Sequence, residues 1–216
     1  MRDKRCRQLF DDHSNGPVPS HRRRRRGPIA RRLSPRRNRT TFPTTNAFPE
    51  PHPQGYSKAT ADGTEAAATD WNPAWGWAAG AMISTLDDMR IWAPALATGV
   101  LLSPAMQTQR LQTLRMPGQS PGETYGLGTF NLGGWIGHNG SVPGYQAVSV
   151  YLPKKQTTLV ILTNTDISYQ GSEPCTPLAT AVTTVLSPDH VYTIDAGVQR
   201  PSATPSPTTK ARCQHP

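Results

Sequence analysis

No run of 18 or more apolar residues occurs in this 216-residue chain, so no membrane-spanning helix is expected. The start, Met1-Arg2-Asp3-Lys4-Arg5, is basic, but the apolar stretch of a signal peptide does not follow. As written, nothing addresses the chain for export. Cysteine is scarce: Cys6, Cys175 and Cys213 are odd in number and widely spaced. Neither a disulfide framework nor a metal-ligand spacing can be read from them. Apolar residues reach only 35%, low for a fully packed globule, while prolines number 22. Together these predict that part of the chain does not fold. There is no internal repeat.

Charge of one sign is concentrated rather than spread. Residues 1–40 hold 14 Lys/Arg against 3 Asp/Glu, whereas the other 176 residues hold 9 against 11. The overall charge of +9 therefore belongs to one end. Residues 1–37 are rich in Arg, Pro and Ser, with arginine at every position from Arg22 to Arg26, and show no helical or strand period. Such a segment buries too little apolar surface to offset its ordering entropy and reads as a disordered basic arm. Residues 196–216 read as a disordered low-complexity tail. The arginine run could attract nucleic acid or an anionic surface. It has no interleaved aromatics and no recognisable module, so no specific nucleic-acid partner is expected.

Between these ends, residues 38–195 carry the folding signals. Phe42 to Gly63 is studded with aromatics and X-Pro steps that oppose helix, and is expected to be an ordered loop. Trp71, Trp75 and Trp77 could form a sugar-stacking platform, but packing of that loop against a helix is the stronger reading. Ser84 and Asp87 form a possible capping box. Leu86, Met89, Trp92 or Ala93, and Leu96 follow at helical spacing, with Thr98-Gly99 as a stop. Pro94 inside this helix is expected to kink its last turn. Asp87 and Asp88 suit the positive end of the helix dipole better than a catalytic pair. Ser103-Pro104 predicts a second helix with Met106, Leu111 and Leu114 on its apolar side, ending at Pro117-Gly118.

The period then changes to two. Tyr125 to Phe130 and Trp135 to His138 read as strands joined at Gly133-Gly134. Gln146 to Leu152 alternates, Pro153 to Gln156 turns, and Thr158 to Thr163 is an apolar run typical of a central strand. A last helix from Thr176-Pro177 is expected to cover the sheet with Leu178, Val182 and Val185. The fold class is α+β, an antiparallel sheet flanked by helices.

Gly137-His138-Asn139-Gly140-Ser141-Val142-Pro143-Gly144-Tyr145 is the segment that asks for an explanation. Small residues let a substrate backbone approach an edge strand, and a short polar side chain can orient it. Glycine and asparagine are also the usual turn residues, so alone the segment reads as a tight turn with an incidental histidine. His52, between two prolines, has no second ligand at metal spacing.

Wider context changes that reading. Gly76-Trp77-Ala78-Ala79-Gly80 running into Ser84-Thr85-Leu86-Asp87-Asp88, Tyr125-Gly126-Leu127-Gly128, the His138 segment, and Leu162-Thr163-Asn164 occur in one order. In that order, from about Thr41 to Thr193, the chain resembles the penicillin-recognising serine hydrolases, the class C β-lactamase and D-alanyl-D-alanine carboxypeptidase group. The resemblance implies part of a β-lactamase/transpeptidase-like fold. It makes His138-Asn139-Gly140 the third active-site motif, with Asn where Thr or Ser is usual. It gives His138 polar or cationic assistance beside the substrate, a role that depends on pH near neutrality. It gives Asn139 hydrogen bonds to the substrate, and the backbone N–H of Ser141 half of an oxyanion hole. Full-length relatives act on small-molecule or peptidoglycan-like acyl donors and are exported to the cell envelope or beyond; no cofactor or metal is expected for this chain. For this chain nothing fixes compartment or oligomeric state.

The departures are as informative. No serine here has lysine three positions on, and none of the six tyrosines begins Tyr-x-Asn. No Gly-x-Ser-x-Gly elbow occurs either. The expectation is a truncated hydrolase, inactive alone, whose arginine-rich start could reflect an out-of-frame reading of GC-rich DNA. The alternative is a non-catalytic interaction protein that uses the residual sheet and a basic anion-binding arm.

Overall fold

The computed structural model describes residues 39–43, 45–72, 76–115 and 122–194. The expected basic arm, the low-complexity tail, Trp75 and Pro117-Gly118 lie outside the described residues. Two short strands, β1 (Tyr56–Ser57) and β2 (Ala66–Ala67), pair antiparallel. Three helices follow, α1 (Trp77–Gly80), α2 (Leu86–Thr98) and α3 (Pro104–Arg110). Strands β3 (Glu123–Tyr125), β4 (Phe130–Leu132), β5 (Trp135–Val142), β6 (Tyr145–Leu152) and β7 (Thr157–Thr163) come next, then α4 (Cys175–Leu186). These last five strands form one antiparallel sheet in sequence order, β3 to β7. Helices pack on both faces, so the expected α+β class holds. No helix among the described residues is long and apolar enough to cross a membrane.

Register explains the layering. Gly137 faces Val150 and Asn139 faces Val148, while Val150 faces Leu159 and Val148 faces Ile161. That side of the sheet meets α4 and holds the core: Trp135, Val148, Val150 and Leu152 with Ala179, Cys175 and Tyr192. Each large apolar side chain so buried stabilises the fold by about 1.5–3 kcal/mol. The opposite side, carrying Ser149 and Val160, lies beneath α2.

The helix ends follow their capping chemistry, with one shift. Thr85, not Ser84, caps α2: its hydroxyl accepts from the Asp88 N–H. Ser84 is instead hydrogen-bonded to Thr40 at 2.8 Å. Asp88 lies in the first turn and also accepts from Thr40 Oγ1 and the Arg39 N–H, holding residues 39–40 against the helix. Pro94 stands inside α2, which runs on to a left-handed Gly99. Ser103 caps α3 as expected, with Pro104 in its first turn.

Four expectations change. Tyr125 to Phe130 is not one strand: residues 126–129 turn, with Gly126 N–H donating to Thr129 O and Gly128 at positive φ, so β3 and β4 are separate. On α4, Leu178, Val182 and Val185 are exposed, and the small residues Cys175, Ala179 and Thr183 face the sheet. Trp77 is exposed and meets Phe42 edge-on rather than packing a loop under the helix. The proline-rich loop docks instead through Phe48, which stacks on Tyr145 and lies beside His52. On α3 the expected apolar side is not buried: Met106 is exposed, and Leu114 lies past the helix end in a bridge to Tyr125.

Candidate functional site

The His138 segment forms the second half of β5. β4 pairs with β5 only from Trp135 to Gly137. From His138 to Val142, β5 has β6 on one side and, among the described residues, no strand on the other. That flank presents backbone groups in the pattern an extended peptide can pair with. The four predicted site residues are therefore consecutive on one open strand, not in a turn. The turn lies just beyond, at Pro143-Gly144, where Gly144 takes the positive φ that this position requires.

Each residue has a distinct setting. His138 is exposed, and its imidazole lies against Phe130 and edge-on to Tyr125. Its Nε2 is 2.8 Å from Tyr125 Oη, and its Nδ1 is hydrogen-bonded to the Asn139 carbonyl oxygen. A carbonyl only accepts, so Nδ1 carries the proton; in the neutral ring Nε2 then accepts from the Tyr125 hydroxyl. The Asn139 side-chain amide forms no hydrogen bond among the described residues. A β-carbon at Gly140 would meet no atom within 4 Å, so open space lies above it. Ser141 is exposed, and its hydroxyl is 3.3 Å from Gln146 Nε2. The buried Gln146 side chain in turn accepts from the Cys175 N–H, linking the motif strand to the start of α4.

Gly137 is what lets the strands meet beneath the motif. Its φ is 157°, and a β-carbon there would fall 2.2 Å from Ser149 O and 2.9 Å from Val150 Cα. The hairpin tip is anchored from below: Asp166 accepts from the Gly144 N–H with one oxygen and from the Ser57 hydroxyl with the other. Glu173 lies in this region too. Burial raises its carboxyl above the ordinary range, and the Asp166 charge adds to that.

Tyr125 is the site residue that the sequence reading missed. It fails the Tyr-x-Asn pattern and lies 13 positions before His138, so only the register of β3, β4 and β5 reveals the contact. His52 is held locally, by the Pro49 carbonyl and Glu50, away from the His138 group. Asp87 and Asp88 lie in the first turn of α2, as the dipole reading expected.

Comparison with known proteins adds the following. The model of the family described as Beta-lactamase matches residues 29–183. Among solved structures, a D-stereospecific amidohydrolase from Streptomyces sp. aligns with a TM-score of 0.55 at 28% identity, over 59% of this chain and 39% of its own. D-amino acid amidase from Ochrobactrum anthropi SV3, complexed with L-phenylalanine, aligns at 0.50 and 23% identity, over 62% of this chain and 40% of its own. A penicillin binding protein from Bacillus halodurans aligns at 0.49 and 20% identity, over 58% and 39%. The chain thus spans about two fifths of the length of these structures. No curated protein matches it.

Proposed function

Because this chain belongs to the beta-lactamase family, we propose that it forms the third-motif wall of an acyl-transfer site and does not complete a turnover by itself. The observation that carries this reading is the oriented His138 imidazole, held by Tyr125 on the half of β5 with an open flank. An acyl donor laid along that flank would find the His138 ring beside its carbonyl, the Asn139 amide (without a partner among the described residues) for orientation, and room above Gly140. The Ser141 N–H would donate to the developing oxyanion. The likeness to a D-stereospecific amidohydrolase favours amide donors of D-configured residues, within a wider set of D-Ala-D-Ala peptides, β-lactams and esters.

The missing half of the chemistry is the nucleophile. No Ser-x-x-Lys and no Tyr-x-Asn occurs at any position of the 216 residues. A serine hydroxyl needs an adjacent base to attack at neutral pH. The chain therefore binds without acylating. Incubation with a labelled penicillin and with a fluorophosphonate, followed by intact mass measurement, is expected to show no adduct. A D-amino acid amide added at millimolar concentration is expected to shift the amide resonances of residues 138–141, and His138→Ala to abolish those shifts. Stoichiometric labelling of any serine sinks the claim of a missing nucleophile; unchanged resonances sink the wall.

A further inference from the structure

In the acyl-transfer reading His138 is expected to meet the ligand, yet both of its ring nitrogens are engaged. Nδ1 donates to the Asn139 carbonyl, and Nε2 is held by the Tyr125 hydroxyl at 2.8 Å. The atom of this pair with hydrogen-bonding capacity left over is Tyr125 Oη, since a phenol oxygen both donates and accepts. Tyr125 is also firmly placed. Its backbone N–H and carbonyl both bond to Leu114, each at 2.9 Å. One residue on, a β-carbon at Gly126 would fall 2.5 Å from Arg110 O, so the chain there is pressed against the end of α3. Tyr125 pairs with Phe130, the first residue of β4, and its side chain reaches His138 past that end of the strand. The hydroxyl therefore stands where β4 stops and the His138-Asn139-Gly140 stretch of β5 begins.

Resting on the acyl-transfer reading, we propose that Tyr125 is the ligand-contacting residue of this pair. Its hydroxyl offers an acceptor to a ligand N–H while His138 is neutral, and a donor to a ligand carboxylate once His138 is protonated. The reversal follows from proton count. A neutral ring takes the Tyr125 O–H at Nε2, which leaves only accepting capacity on Oη. A charged ring carries its own proton on Nε2 and donates it to Oη, so the phenol O–H turns to another acceptor. The ring charge then strengthens a bond to an anion. With His138 neutral, the pair holds the N–H of an uncleaved amide and has no donor for the carboxylate that hydrolysis leaves. Tyr125 thus selects substrate over product. The ionised groups of the surrounding elements sit as follows. On α2, Asp88 holds residues 39–40, and Asp87 and Arg90 line a groove against Thr158 and Val160 of β7. Arg110 of α3 donates to the Leu96 carbonyl, and Arg115, next to Leu114, is exposed. Glu123 of β3 is buried, and its charge bears on Tyr192. The partners of the ring itself are an uncharged hydroxyl and a carbonyl.

N-acetyl-D-alaninamide and N-acetyl-D-alanine test this, because they differ only in amide against carboxylate and carry no titrating amine. Their binding to the full chain is followed by nuclear magnetic resonance at about pH 8 and about pH 5, which bracket histidine ionisation. The charge state of His138 is read from its ring nitrogen resonances. The amide is expected to bind more tightly than the acid to the neutral ring. The ratio of their affinities is expected to fall at least about tenfold when the ring is charged. On the unaltered chain, the Cζ resonance of Tyr125 is expected to move in opposite directions with amide on the neutral ring and acid on the charged one. Tyr125→Phe, checked for folding by circular dichroism, is expected to weaken amide binding to the neutral ring about tenfold. An imidazole that met the ligand itself would be released by this change and bind as well or better. Three results overturn the proposal while the acyl-transfer wall stands: an affinity ratio that ignores the ring state, a Tyr125 Cζ resonance that stays still while residues 138–141 respond, or undiminished binding by a folded Tyr125→Phe chain. No response of residues 138–141 to either probe in either ring state removes the wall, and the proposal with it.

Discussion

Tyr125 Oη lies 2.8 Å from His138 Nε2, joining the edge strand β3 to the motif strand β5 across the end of β4. With Phe130 against the same imidazole, the ring is fixed on two sides while it remains open to solvent. In the proposed acyl-transfer site, a histidine held in this way would give electrostatic assistance at low reorganisation cost.

The two hydrogen bonds of His138 set its tautomer. With Nδ1–H donating to the Asn139 carbonyl, the neutral ring is expected to be the Nδ1–H form. Long-range nitrogen–proton correlation spectra of the neutral ring check this; a dominant Nε2–H form contradicts the geometry. Tyr125→Phe removes the partner of Nε2 and is expected to raise ring mobility with little loss of stability, about 1 kcal/mol or less.

The two glycines that flank His138-Asn139 respond differently to alanine. At Gly137 the added carbon meets backbone atoms of Ser149 and Val150, which cannot move without parting β5 from β6. Gly137→Ala is expected to cost about 3 kcal/mol or more in urea unfolding. At Gly140 the same carbon meets nothing. Gly140→Ala is expected to stay within about 0.5 kcal/mol of the unaltered chain, yet to weaken binding of an acyl donor by filling the space above the strand. Equal destabilisation at both positions contradicts this assignment.

Asp166 ties the tip of the motif hairpin to the fully buried Ser57. Asp166→Ala leaves the Gly144 N–H and the Ser57 hydroxyl without their acceptor and is expected to cost about 1–3 kcal/mol. Asp166→Asn retains one acceptor oxygen and is expected to recover part of this. Amide exchange at Gly144 localises the effect: acceleration in the alanine variant is expected, and unchanged exchange there means that the clamp does not hold the turn.

What could be read from the sequence was what depends on local chemistry. The Thr98-Gly99 stop, the Ser103-Pro104 start and the strands from Gln146 and Thr158 stand as expected because caps, turns and a period of two act within a few residues. The His138 segment was visible through its flanking glycines. Tyr125 was not, since its approach to His138 depends on residues 126–129 turning within what reads as one strand. The face of α4 was misjudged for a different reason. Helical period identifies stripes but not which stripe is buried, and here the side packed on β6 and β7 carries small residues.

Glu173 gives the site region a pH dependence of unusual sign. Burial, then the charge of Asp166, raises its carboxyl above the ordinary range. The folded chain therefore holds this proton more tightly than the unfolded chain does. Stability from that source is fully present below the ordinary glutamate range. It is lost as pH rises through that range towards the raised folded value. Glu173→Gln keeps the shape and removes the charge, so it should abolish this slope. Thermal unfolding of both proteins, compared between about pH 4 and pH 7, is expected to show the variant melting higher at pH 7 and the two converging at the acid end. Adding Asp166→Asn should reduce but not abolish the difference, because burial is the larger cause. A gap between the two proteins that stays constant with pH would mean that the effect of the glutamine is steric and that Glu173 is not the titrating group.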